Sequence, residues 1–327
     1  MENHFVFNPE ILQLREEKKE QRRVANFAAL SVLVLFLIMF GWSFVYIRVM
    51  GNLGFAYNNS VELLENPAVN EILQISVSLC MLIIPSIIIA RLLHIKIRDV
   101  VPLGHPKNKN NFAFFVAALG FCMFASQASS IAGAIIEGFG VEFPSMEREL
   151  PTGFLGVTLV ILSTSLFPAL LEEFMMRGVI LGVFKKFGDG FAIIASSLLF
   201  AFMHASLSQF AFAFLVGLIL GFITVKANSI WPAVIIHAAN NFISIVFSYL
   251  ELYVSTTVLN TVFYIFIGIL FAAAVTGTIT VSRDTEFLKL QKADTISTEA
   301  QKIKWFLTAP TVIITIIAAV AISVFLR

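Results

Sequence analysis

The chain carries three short patterns whose residue types could do chemistry: Glu172-Glu173-x-x-x-Arg177, Phe200-x-x-x-His204 and His237-x-x-x-Asn241. Carboxylates, imidazoles and carboxamides serve general acid and base work, proton relays, zinc ligation and hydrogen bonds between membrane helices. Glu173 and Arg177 stand four residues apart, which on a helix puts them on one face as an ion pair. Glu172 is turned about 100° away and lacks that partner. His237 and Asn241 also share a face, and the small Ala238 and Ala239 between them let a neighbouring helix come close. His204 ends the otherwise apolar run Phe200-Ala201-Phe202-Met203.

The elements that must position these groups are apolar helices. Of 327 residues, 58% are hydrophobic and 13% charged, against roughly 45–50% and about 25% in an ordinary soluble domain. That excludes a soluble enzyme. The formal charge of +1 recommends no nucleic-acid partner; the partner implied is membrane lipid. Cys80 and Cys122 both lie in apolar runs and read as small buried hydrophobes, not as a disulfide framework. The abundant phenylalanines read as lipid-facing and core packing.

A membrane-spanning helix needs about 20 mostly apolar residues. Stretches of that kind cover residues 24–47, 72–90, 112–136, 153–171, 230–250, 254–282 and 305–326, with shorter runs at 191–203 and 210–225. The expectation is an all-α, polytopic transmembrane bundle of about nine helices. Residues 1–23 form a polar N-terminal cytoplasmic arm and 24–327 the transmembrane domain. The first apolar run follows this arm and is longer than a signal-peptide core, so it reads as a retained anchor. Lys and Arg collect on the cytoplasmic side of membrane proteins, and here the arm (Arg15, Lys18, Lys19, Arg22, Arg23), Lys96 to Lys109, Lys185 and Lys186, Lys226, and Arg283 to Lys304 fall together. Glu62, Glu65, Glu71, Glu137, Glu142, Glu147, Glu149 and Glu251 fall on the other side, with only Arg148 among them. The implied location is the cell membrane with the N-terminus in the cytoplasm, and Trp231 and Trp305 should sit at the cytoplasmic interface.

Apolar periodicity continues past the carboxylates to Lys185 and Lys186, so that helix should not stop at Glu173. The turn to the next is expected at Gly188-Asp189-Gly190. Glu172 precedes it by about 16 residues and His204 follows it by about 15. At 1.5 Å per residue both stand roughly 20–25 Å above the turn, level in an antiparallel pair. His237 stands only about 7–9 residues beyond the turn at Lys226–Asn228, roughly 10–14 Å up, and needs tilt or a deeper turn to meet them.

In this order within hydrophobic helices, the three patterns resemble the CPBP family, the CAAX-prenyl-protease and bacteriocin-processing membrane proteins also called Abi. The resemblance covers about residues 151–249. It implies an intramembrane endopeptidase in which Glu172 is the general base, His204 positions the attacking water with it, and His237 with Asn241 donate to the oxyanion. Glu173, Arg177 and Phe200 would support them. The implied partner is a peptide or membrane-protein substrate, with no cofactor.

Other readings use the same residues. Glu172 and Glu173 with Arg177 could be a structural charge cluster. His204 could bond a backbone carbonyl, and His237 with Asn241 could join helices. A zinc enzyme would ligate through Glu172, His204 and His237, although no His-Glu-x-x-His helix pre-assembles two ligands. A non-catalytic scaffold or immunity protein needs none of these groups. A proton-coupled transporter would show broken helices in repeated halves, and the chain shows no such repeat.

Overall fold

The computed structural model describes residues 9–52, 67–106, 111–138 and 150–325, and all their regular structure is helical. Ten helices matter: α1 (Pro9–Asn52), α2 (Pro67–Leu92), α3 (Asn111–Gly138), α4 (Gly153–Phe187), α5 (Asp189–Met203), α6 (Leu207–Ala227), α7 (Trp231–Glu251), α8 (Thr256–Ser282), α9 (Glu299–Leu307) and α10 (Pro310–Phe325). The all-α membrane bundle is as the composition requires. Of the expected nine crossings, seven helices among the described residues are long and apolar enough, or eight if the bent pair α9 and α10 is one span. The ninth run is α5, whose 15 residues rise about 22 Å, less than the roughly 30 Å hydrocarbon layer. The last run begins at Trp305 inside α9 and crosses the break after Leu307, where α10 departs at a 62° bend. Its Trp305 is buried against the protein.

α4 runs unbroken through the carboxylates, as expected, but it is not uniformly α-helical. Two π-helical stretches, Ile161–Leu166 and Phe174–Ile180, interrupt it on either side of Phe167–Glu173. Such widened turns re-aim the side chains around them. The helix ends at Gly188, whose φ of +107° suits a residue without a Cβ, and α5 returns alongside. α6 then lies on α5 because Gly217 admits it: a Cβ there would come within 2.9 Å of the Ser197 Cβ. Gly182 lets the loop after α2 reach α4, with the Val100 carbonyl oxygen 2.6 Å from where its Cβ would be. Close contact through small residues is the usual currency of helix association in lipid.

The turn before α7 explains how His237 reaches the site. Ala227, Ser229 and Ile230 are buried. The Ile230 amide donates to the Pro102 carbonyl at 3.0 Å and the Ser229 hydroxyl to the Gly104 carbonyl at 2.6 Å. The 101–104 segment thus covers this turn, which is not itself the exposed end of the chain's polar side.

The polar arm is helical from Pro9 and continuous with the first span. It is tied to the C-terminal segment: Gln21 donates to the Lys302 carbonyl, and the Glu17 carboxylate accepts from the Ile296 and Ser297 amides. Lys186 pairs with Glu20 at 2.6 Å, and Lys302 donates to the Phe187 carbonyl at 2.7 Å. The arm, the α4–α5 turn and the segment before α9 therefore meet at one end of the bundle, in agreement with their shared positive charge. The segments holding Lys107, Lys109, Glu62, Glu65, Glu142, Glu147 and Glu149 lie outside the described residues. Glu71 corrects an expectation. It does not lie in an acidic loop but inside α2, with zero exposure.

Candidate active site

The break in helical register between Glu172 and Arg177 gives two adjacent carboxylates different surroundings. Glu173 is completely buried and turns inward, with Oε2 3.1 Å from Arg177 Nε. The Arg177 guanidinium, 1% exposed, lies over the Phe200 ring, 4.1 Å from its centroid. Phe200 also meets His204 and His237 edge-on, at centroid separations of 4.8 and 6.1 Å. One aromatic ring thus packs against the cation and both imidazoles. Glu172 keeps 17% of its side chain exposed and lines a cavity. Its Oε2 has no hydrogen-bond partner among the described residues, which agrees with the unpaired carboxylate read from the spacing.

α7 supplies the opposite wall. His237 Nδ1 donates to Glu173 Oε1 at 2.8 Å, since a carboxylate can only accept. That leaves Nε2 pointing to Glu172, 4.0 Å from its Oε2. Glu173 therefore holds Arg177 and His237 together, a link the spacing did not reveal. Asn241 donates from Nδ2 to the Thr164 carbonyl at 3.2 Å, so the helix-joining contact is made and the residue still faces the cavity. His204 caps α5 and donates from Nδ1 to the Phe200 carbonyl at 2.8 Å, which leaves its Nε2 as the available ring nitrogen. The backbone contact weighed against a role for His204 exists, and it fixes the tautomer.

These groups share one cavity of about 280 Å³, lined by Glu172, His204, His237 and Asn241 together with Asn240 and, from α2, Gln74 and Ser78. A separate hollow of about 330 Å³ between α3, α6 and α8 is apolar and holds none of them. Asn240 was not anticipated. It is buried, with Oδ1 lacking a partner among the described residues; its signal was only its place beside Asn241. Among the described residues no group of three His, Cys, Asp or Glu comes together to hold a metal ion.

Residues 154–243 match the family model described as type II CAAX prenyl endopeptidase Rce1-like. That stretch contains Glu172, His204, His237 and Asn241 and nearly coincides with the segment whose patterns resemble the CAAX-protease family. Searches of curated proteins and of solved structures find no match to the chain.

Proposed function

We propose that this membrane protein, CAAX-protease-like over residues 154–243, is an intramembrane endopeptidase that hydrolyses a peptide bond with water activated by Glu172. The observation that carries the reading is the single cavity, inside a bundle of apolar helices, onto which a free carboxylate, two imidazoles and a carboxamide converge. A water there donates its protons to Glu172 and to His204 Nε2, and its oxygen attacks the carbonyl carbon. The carboxylate takes the proton lost from water. The oxyanion receives hydrogen bonds from Asn241 Nδ2 and His237 Nε2. When the C–N bond breaks, Glu172 returns the proton to the leaving amine, as a general base turned acid does.

For Nε2 of His237 to donate, the ring must carry protons on both nitrogens. Glu172, Glu173, Arg177 and His237 then form a set of two anions and two cations, which suits a buried cluster. A scaffold reading leaves the free carboxylate and the donors around it without a task, and a proton-coupled transporter would show broken helices in repeated halves, a symmetry the chain does not show. Cleavage of a peptide library by the purified protein in detergent tests the proposal. Farnesylated CAAX peptides, leader peptides and unmodified membrane segments should be compared. A defined product from any of them, formed in the presence of exhaustive chelation, supports it. Loss of cleavage together with stoichiometric zinc would overturn the metal-free reading.

Asn241→Ala should lower kcat by about 10²–10³-fold with little change in KM, because an oxyanion donor acts in the transition state. A change confined to KM would instead make Asn241 a substrate-binding residue.

The orientation proposed places the charged end in the cytoplasm. Single cysteines introduced at Lys96 and Lys292, with Cys80 and Cys122 replaced, should label from the cytoplasmic side, and one at Tyr253 from the opposite side. Labelling of all three from one side would refute it.

A further inference from the structure

Three consecutive residues in the first π-helical stretch of α4 each hold a different contact. The Ser163 hydroxyl donates to the Glu71 carboxylate of α2. The Thr164 carbonyl accepts from Asn241 Nδ2 at 3.2 Å, and the Ser165 hydroxyl donates to the Ala238 carbonyl at 2.8 Å, one residue past His237. In a regular α-helix the Thr164 carbonyl would bond the amide of residue 168, but that residue is Pro168 and has no N–H. The proline and the π turn together turn this carbonyl toward α7.

Glu71 is the unexpected member. A carboxylate with zero exposure inside an apolar membrane helix is expensive, and such groups persist where they are used. It shares a face of α2 with Gln74 and Ser78, three and seven residues on, which line the catalytic cavity. A carboxamide nitrogen has two N–H groups. With one held by Thr164, the other is fixed in direction.

We propose that Glu71 is a positioning residue: through Ser163 it sets the π turn, so that the Thr164 carbonyl aims the second N–H of Asn241 at the oxyanion. This rests on the oxyanion role proposed for Asn241 and adds a residue that none of the three patterns contains.

The test is a set of kinetic cycles measured on the full-length protein in detergent. Ser163→Ala and Glu71→Leu should each lower kcat about 10–100-fold, the size usual when the outer partner of a functional ligand is lost, with KM little changed. Glu71→Gln, which keeps an acceptor for Ser163, should retain most of the activity. In an Asn241→Ala background Ser163→Ala should have almost no further effect, because both changes remove one device. Equal fold-losses of Ser163→Ala in the two backgrounds, or an effect on KM alone, would overturn the positioning role while leaving Asn241 as a donor. Full kcat in Asn241→Ala itself would overturn the donor role and this inference together.

Discussion

Glu172→Gln should lower kcat by about 10²–10⁴-fold, the contribution of a positioned general base, while the protein remains extractable and monodisperse. Both halves of this result follow from the site. The glutamine occupies the same space and can still hydrogen-bond water, but it cannot take a proton from it. Glu172 is the carboxylate outside the buried salt bridge, 17% exposed on the cavity wall, so neutralising it leaves Glu173 with both of its cationic partners. The measurement is steady-state cleavage by the variant, with size-exclusion profile and thermal midpoint as controls. Unchanged kcat would remove Glu172 from the mechanism. His204→Ala should give a smaller loss, since on this reading its Nε2 orients the water without receiving the proton for good.

The candidate site was legible in the sequence because its members interrupt apolar runs. A charged residue in lipid is conspicuous, and the i, i+4 spacings of Glu173 with Arg177 and of His237 with Asn241 survive in the three-dimensional arrangement as shared faces. The level of Glu172 with His204 could be computed from a turn that glycine marks. What escaped lies in departures from the regular helix. A 3.6-residue period cannot reveal the π-helical stretches, so the orientation of Ser163, Thr164 and Ser165 was hidden, although Pro168 was a signal of a freed carbonyl. Glu71 was misplaced because its neighbours Glu62 and Glu65 suggested an acidic loop, and no local rule tells a buried carboxylate near a helix start from an exposed one. The height of His237 was computed from a turn assumed to lie at the bundle's end, whereas the 101–104 segment covers that turn. The bond from His237 to Glu173 joins residues 64 apart in sequence, and only packing brings them together.

Arg177→Met should be the most damaging change to stability, about 3–5 kcal/mol, as when one partner of a buried ion pair is removed. The guanidinium is 1% exposed and the Glu173 side chain wholly buried, so water cannot take over the lost interaction. In the variant, two carboxylates face one imidazolium. Arg177→Lys should recover only part of the loss, because an ammonium cannot lie flat over Phe200 as the planar guanidinium does at 4.1 Å. Glu173→Gln combined with Arg177→Met removes both charges and should be more stable than Arg177→Met alone, since no unpaired anion remains in the core. That double variant should still be a poor enzyme: a glutamine oxygen can accept from His237 Nδ1 in place of the Glu173 carboxylate at 2.8 Å, but it no longer offsets the charge of the doubly protonated ring. Thermal unfolding midpoints in one detergent, measured beside cleavage rates, separate the two effects. A double variant no more stable than Arg177→Met would show that Arg177 contributes by packing on Phe200 and not by neutralising Glu173. Wild-type turnover in a stable double variant would show that His237 needs no carboxylate behind it.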